Sequence, residues 1–343
     1  MRTLILLFVL LLLPTFAVGN TFKFIFSTDN PKDSLHVKAL QKFSELSRKY
    51  SDGEISIEVF HKGNKTNPSF GGEEENIKMV MSYDFYKISP IDGTVVAAES
   101  LAFKAPIIEF MLLPFIFPSF KSAKKLFASD FIMKYVNFQL KTKHRTKIVS
   151  WLIGGYRHLT NSKKMVSKIQ DIAGLKIRTP RNYIIKEAYE AFGASVKILD
   201  WDDVAKSLKN ETIDGQENPF NVFFHSDILK YRQKYLTKTK AFLWIGAIAM
   251  NARKFENMPI KLQDIIVKAG RETAQIQWDW IEKENSQLEK LLREKRVKIS
   301  ELEDREKWIQ ASRKIYDDSY KLIGYGDRDL GEDLVKTVVD LVK

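Results

Sequence analysis

The chain has 343 residues with 55 Lys and Arg against 43 Asp and Glu, a formal net charge of +12, and no cysteine. Disulfide stapling, thiolate metal sites and a lipid-modified cysteine are therefore excluded, and the fold must rest on a hydrophobic core, which this length can supply in two lobes. The basic balance could serve nucleic acid or an anionic surface, but the lysines are scattered along helical stretches and no nucleic-acid motif occurs, so the charge reads as a solvated surface that can help draw in anionic solutes.

Residues 1–19 read as a secretory signal. Arg2 supplies the positive end, Leu4 to Leu13 is an apolar run too short for a comfortable membrane span, and Ala17-Val18-Gly19 offers small residues for cleavage. The mature chain is expected to begin near Asn20 with a charge of +11, since Arg2 is removed (12 − 1). Phe22, Phe24 and Phe26 then alternate as in a strand, followed by a helix capped by Asp33 or Ser34 with Val37, Leu40, Phe43 and Tyr50 on one face. Ile55, Ile57 and Val59 alternate again, and this βαβ order predicts a parallel sheet with helices on its faces.

The second half repeats the pattern. Strands are predicted at Lys147–Ile153, Leu175–Arg178 and Val196–Leu199, with a helix over Asn182–Phe192 that Gly193 ends in a left-handed cap. From Pro259 the chain turns helical, with Leu262, Ile265, Ile266, Ala269, Thr273, Ile276 and Trp280 on one face and the pattern running on through Leu288, Leu291 and Leu292. No heptad is sustained, so this segment reads as one long helix bridging both lobes rather than as a coiled coil.

Two motifs carry the functional argument. In Gly174-Leu175-Lys176-Ile177-Arg178-Thr179-Pro180, apolar and cationic residues alternate, and Pro180 ends the strand just after Arg178. An arginine at that point can reach into an interlobe crevice and bind a carboxylate through both arms of its planar fork. Forty residues on, in Asp214-Gly215-Gln216-Glu217-Asn218-Pro219, Asn218 offers both a donor and an acceptor, and Pro219 marks a helix start whose amides favour an anion. Enzyme and metal signatures are absent. His36, His61, His144, His158 and His225 have no ligand spacing, and no GxSxG, P-loop or GxGxxG occurs.

Together these motifs resemble the periplasmic solute-binding subunit of tripartite ATP-independent periplasmic (TRAP) transporters, the DctP-like family. The likeness continues in Asp52-Gly53-Glu54-Ile55-Ser56-Ile57-Glu58-Val59-Phe60, in Pro114-Phe115-Ile116-Phe117, in Gly155-Tyr156-Arg157-His158-Leu159-Thr160 and in Lys234-Tyr235-Leu236-Thr237, over roughly residues 21 to 325. The resemblance implies an α/β, two-lobed periplasmic-binding-protein fold, each lobe a mixed sheet flanked by helices, with a long helix spanning both. The expected division is 20–154 plus about 244–283 in lobe I, and about 155–243 plus 284–343 in lobe II. It implies a periplasmic, non-enzymatic monomer that captures an organic acid and delivers it to TRAP membrane subunits, with no nucleic-acid partner. No cofactor is expected, and although a subset of keto-acid binders in the family involves a metal, this sequence offers no ligand set for one. By the same resemblance Arg178 is the carboxylate clamp, Arg157 a second ligand-facing arginine, Trp201 an aromatic that closes over the ligand, and Glu99 a first-lobe acid that touches it. Asn218 completes the expected set. One departure lies between Gly71-Gly72-Glu73-Glu74-Glu75 and Asp92-Gly93, where extra residues including Tyr83, Asp84, Phe85 and Tyr86 read as a surface loop or an altered first-lobe wall. The rival readings are a receptor for a hydrophobic or amphipathic acid that uses an extra periplasmic partner, and a sensing or scaffold protein on the same fold.

Overall fold

The computed structural model describes residues 21–62, 64, 72–82 and 89–343. The expected signal segment and the Tyr83–Tyr86 insertion lie outside them. The chain opens with β1 (Phe22–Pro31), α1 (Leu35–Tyr50) and β2 (Ile55–Lys62), and the two strands pair in parallel. Phe24, Phe26, Ile55 and Ile57 are buried against Leu40 and Phe43 of α1, which is the burial their alternation requires. Of the two candidate caps, Ser34 holds the position, its Oγ accepting from the Val37 amide at 3.3 Å. Next come α2 (Gly72–Met81), β3 (Gly93–Ala97) and the single-turn α3 (Ala98–Ala102). A 3-10 turn over Pro106–Leu112 and helices α4 (Phe120–Phe127) and α5 (Asn137–His144) then add Ile107, Phe110, Leu126 and Leu140 to the largest core.

The second lobe is entered along β4 (Thr146–Asn161), which runs well beyond the predicted seven residues. It continues through β5 (Lys176–Thr179), α6 (Tyr183–Ala191), β6 (Ser195–Ile198), α7 (Trp201–Lys209), β7 (Gly215–Asn218) and α8 (Phe220–His225). The chain returns on the 17-residue β8 (Tyr235–Asn251), followed by α9 (Ala252–Glu256), α10 (Ile260–Glu294), β9 (Lys298–Glu301), α11 (Arg305–Ile323) and α12 (Arg328–Val342).

The strands form one sheet in the order β2-β1-β3-β8-β4-β7-β5-β6, with β9 beside β8. The lobes therefore do not carry separate sheets. β4 and β8 pair antiparallel along nearly their whole length and belong to both. The C-terminal half of β8 pairs with β3, while its N-terminal end pairs with β9. The C-terminal end of β4 pairs with β7. Two continuous ribbons thus connect the lobes, and the crevice lies where they cross.

The β4–β8 register shifts at Ile148/Ser150, Ile153/Gly155 and Arg157/Leu159. Such bulges bend a strand and re-aim its side chains. Gly155 sits at φ +108°, a left-handed conformation that a side chain would strain, and a Cβ there would meet Asn285 Nδ2 at 2.7 Å. β7 pairs with β4 only from His158 onward, and at Ile153, beside this bulge, α10 satisfies the backbone. Gln277 accepts from the Ile153 amide through Oε1 at 3.0 Å and donates to the Ile153 carbonyl through Nε2 at 2.8 Å, while Trp278 Nε1 donates to Trp151 O at 3.1 Å. A Cβ on Gly270 would lie 1.7 Å from Val149 O, so the helix backbone rests directly on β4.

At 35 residues, α10 is about 52 Å long, enough to reach along both lobes. Its buried face differs from the one read in the sequence. Leu262, Ile266, Ala269, Thr273, Leu288 and Leu292 face inward, but Ile276 and Leu291 are exposed and Trp280 is half-buried, and Ala274, Gln277, Trp278 and Ile281 are the inward positions between Thr273 and Leu288. A polar glutamine does not register as a core residue by hydropathy. It is buried here because the bulged strand beneath it has hydrogen bonds to fill. Trp280 instead lies under the Lys38 ammonium, 5.2 Å from its ring centre.

Candidate functional site

A cavity of about 480 Å³ opens between the lobes at the strand ends. One side is formed by the end of β1 (Asp29, Asn30), the first turn of α2 (Glu73) and α3 (Glu99, Ser100); the other by the ends of β5 and β7 and the start of α7. Arg157 comes from β4 and Trp244 from β8. All five residues singled out in the sequence, Arg178, Asn218, Arg157, Trp201 and Glu99, line this one space. A larger groove of about 740 Å³ on the outer side of α1, bordered by Gln41, Glu45, Arg48 and Lys49, is an open surface feature without buried convergent polar groups among its described residues.

Arg178 stands on β5 opposite in phase to Ile177, which is fully buried in the core. The strand is braced from the second motif, because the Lys176 amide donates to Asp214 Oδ2 at 2.9 Å. Arg178 is 4% exposed. Its Nε donates to Leu199 O at 2.8 Å, and its guanidinium lies 5.8 Å from the Trp201 ring. Among the described residues no carboxylate lies within 4.0 Å of it. Burial pushes its pKa down to about 10, only partly offset by Glu217, and Arg157 adds repulsion. It is a buried cation facing a cavity without a counter-ion of its own.

Arg157 is in the opposite condition. Its Nε and Nη2 grip both carboxylate oxygens of Glu217, the Nη2–Oε1 contact at 2.6 Å, and Nη2 also donates to Glu217 O at 3.2 Å. Nη1 donates to Glu99 Oε1 at 3.0 Å. Burial alone would lower its pKa, but Glu217 and Glu99 outweigh that and hold it above the ordinary arginine range. Two acids already neutralise this guanidinium. Glu217, next to Asn218 in the second motif, is 0% exposed, and no local pattern marks it as the partner of an arginine 60 residues away. The β4–β7 register sets Glu217 opposite Leu159 and hence on the face of Arg157, whereas Asn218 pairs with His158.

Two further residues emerge only from the fold. Glu73, from the acidic run after Gly71-Gly72, accepts through Oε2 from the Ala97 amide at 2.9 Å and from Ser100 Oγ at 3.4 Å, and its Oε1 lies 3.4 Å from His36 Nε2. Burial opposes its ionisation, but His36, the Ala97 amide and Asn30 together keep its carboxyl below the usual range. The His36 ring stands edge-on to Trp244 at 5.2 Å. Glu99 is pushed the other way: burial raises it most, Glu73 and Glu217 add repulsion, and Arg157 only partly compensates.

Asn218 uses one amide N–H on Gln216 Oε1 at 2.5 Å, and Gln216 in turn donates to Thr160 Oγ1 at 2.8 Å, which fixes the carboxamide plane. Pro219 caps rather than starts the helix, and α8 has only six residues, so the helix-dipole contribution expected there is small. Trp201 begins α7 and is 41% exposed at the cleft rim. Among the described residues no group of three or more His, Asp or Glu side chains is placed to hold a metal ion, and no helix is long and apolar enough to cross a membrane.

Comparison with known proteins agrees with this architecture. Residues 26–322 match the family model DctP, described as bacterial extracellular solute-binding protein, family 7. The chain belongs to this family. This DctP-like protein is 26% identical over 245 residues to the 2,3-diketo-L-gulonate-binding periplasmic protein YiaO of Escherichia coli strain K12, covering 71% of this chain and 70% of that one. The sugar acid binding protein DctPAm of Advenella mimigardefordensis, solved with galactonate, superposes with a TM-score of 0.81 at 24% identity, covering 94% and 98% of the two chains. A TRAP periplasmic solute binding protein of Chromohalobacter salexigens, solved with D-glucuronate, gives 0.82 at 21% identity, covering 93% and 99%. The two-lobed fold is thus that of the TRAP periplasmic receptors, and the family is a class of solute-binding receptors.

Proposed function

We propose that this DctP-like protein captures a small polar organic acid in the interlobe cleft and delivers it to TRAP membrane subunits, with the solute carboxylate on Arg178. The observation that carries this reading is the pairing state of the two arginines. Arg157 is saturated by Glu217 and Glu99, whereas Arg178 is equally buried and has no acid within 4.0 Å among the described residues. A desolvated guanidinium aimed into a cavity is an anion receptor with its desolvation already met, so an entering carboxylate gains the full fork geometry. Asn218 orients the bound group, Trp201 covers it from the rim, and Arg157 acts as a positioning residue that holds Glu99 at the lobe boundary.

Closure follows by bending β4 and β8 at their bulges, which brings the first-lobe groups onto the solute. The lobe limits inferred above, the secretory role of residues 1–19, the monomeric state and the absence of catalysis belong to this same reading. The relatives named for 2,3-diketo-L-gulonate, galactonate and D-glucuronate all bind hydroxylated acids, which suits a cleft lined by charged and amide groups. That lining argues against the hydrophobic-acid alternative.

The test is thermal unfolding of protein refolded to strip carried-over solute, screened against mono- and dicarboxylates, sugar acids, sialic acids and fatty acids. A true ligand at 100 times its dissociation constant adds about 2.7 kcal/mol of stability. A shift with fatty acids alone, or with no acid at all, would overturn the polar-acid reading.

A further inference from the structure

The cleft holds more acid than a receptor for simple anions needs. Seven of its lining residues are Asp or Glu against four Lys or Arg, so the lining is formally −3 with His36 neutral (4 − 7). The imbalance is not confined to the rim. At the floor, Arg157 is shared between Glu217 and Glu99, which leaves that trio with a net negative charge. Glu73 adds a second first-lobe carboxylate, with His36 Nε2 3.4 Å from its Oε1 and Asn30 also bonded to it. Burial pushes the Glu99 carboxyl up, Arg157 only partly offsets it, and repulsion from Glu73 and Glu217 adds to the rise. Across the same cavity Arg178 is 96% buried (100 − 4), with no carboxylate within 4.0 Å among the described residues. One side presents a buried cation with no carboxylate within 4.0 Å among the described residues; on the other, Glu73, Glu99 and Glu217 share Arg157 and His36, an excess of acid over fixed positive charge.

A hydroxyl can donate a hydrogen bond to Glu73 or Glu99 but brings no charge to offset them. A second carboxylate would meet like charge on that wall. A protonated amine answers both needs, because it carries three donors and one positive charge into a desolvated acidic pocket. We propose that the solute is zwitterionic, an amino-group-bearing acid whose carboxylate sits on Arg178 and whose ammonium sits against Glu99 and Glu73. This rests on the reading of Arg178 as the carboxylate clamp and narrows the solute class within it.

The experiment is titration calorimetry at pH 7 on the stripped full-length mature protein with matched pairs that differ only in amine against hydroxyl: D-glucosaminate with D-gluconate, 4-aminobutyrate with 4-hydroxybutyrate, and 5-aminovalerate with 5-hydroxyvalerate. The expected result is at least one pair in which the amino member binds about 10-fold or more tightly than its hydroxy partner. In Glu73→Gln or Glu99→Gln, either of which keeps the side-chain shape, that preference should fall to about threefold or less while the hydroxy member changes little. Equal or tighter binding of the hydroxy member in every pair that binds overturns the zwitterion assignment and leaves the acid receptor standing. So does binding of plain mono- or dicarboxylates with none of the amino members. Absence of binding by any acid, amino or not, overturns the carboxylate clamp and this inference with it. The wild-type comparison decides the matter even where a variant folds poorly.

Discussion

Replacing Arg178 by Met should separate the two halves of its energetics, because stability and affinity are expected to move in opposite directions. In the solute-free protein the guanidinium is a buried charge that, among the described residues, donates to Leu199 O at 2.8 Å. Its pKa falls from 12.5 to about 10 through burial. That fall of about 2.5 units corresponds to roughly 3 kcal/mol disfavouring the charged form in the folded state. Methionine keeps an unbranched apolar stem and removes the charge, and losing the bond to Leu199 gives back about 1 kcal/mol. The solute-free variant should therefore be as stable as the parent or up to about 2 kcal/mol more so, a rise of a few degrees in the melting midpoint. Affinity should fall about 30-fold or more, since removing one partner of a buried charge pair costs about 2–5 kcal/mol. At a solute concentration 100 times the parental dissociation constant, the stabilisation should drop from about 2.7 to below about 0.9 kcal/mol. Differential scanning calorimetry with and without a solute from the acid screen reads both. Loss of more than about 2 kcal/mol in the solute-free variant would show that Arg178 already serves a structural pair, and an unchanged solute shift would remove it from the site.

Arg157→Ala should do the reverse. It strands Glu217 and Glu99 without their cation and should cost about 3–5 kcal/mol in urea unfolding, with the Arg157→Leu/Glu217→Leu double variant recovering the part due to Glu217 while Glu99 stays unpaired; a loss below about 1 kcal/mol would refute the clasp. Glu109, 5% exposed, accepts from Asn182 Nδ2 at 2.9 Å, and burial, with repulsion from Glu99, pushes its pKa up to about 7. Because the folded pKa lies above the unfolded value of 4.5, its contribution is fully present below about pH 4.5 and is lost as pH rises through about 7, a decline of at most about 3 kcal/mol. Glu109→Gln should flatten that part of the urea-midpoint profile between pH 5 and 8, and an unchanged slope would rule the group out as its source.

Much of this protein is legible from local pattern. The alternation of Phe22, Phe24 and Phe26, the Ser34 cap and the alternation of Ile55, Ile57 and Val59 specify a βαβ unit because each acts within a few residues. Arg178 could be singled out for the same reason, since Ile177 fixes the phase of its strand and Pro180 its end. The partners of Arg157 could not be. Glu217 lies 60 residues away, and only the β4–β7 register puts it on the arginine's face, while Glu99 reaches it from the other lobe. Glu73 and His36 are ordinary surface types by composition and become cleft residues when β1, α2 and β3 meet at their ends. The turn of α10 that buries Gln277 and Trp278 instead of Ile276 and Trp280 is dictated by unpaired backbone at the Ile153 bulge, which hydropathy does not encode. Sequence by itself determined the family, the order of the elements and the cationic end of β5, all consequences of short-range periodicity. Tertiary structure alone decided which arginine is already neutralised and which is left facing the cavity, because the pairing of a buried charge depends on register between distant strands.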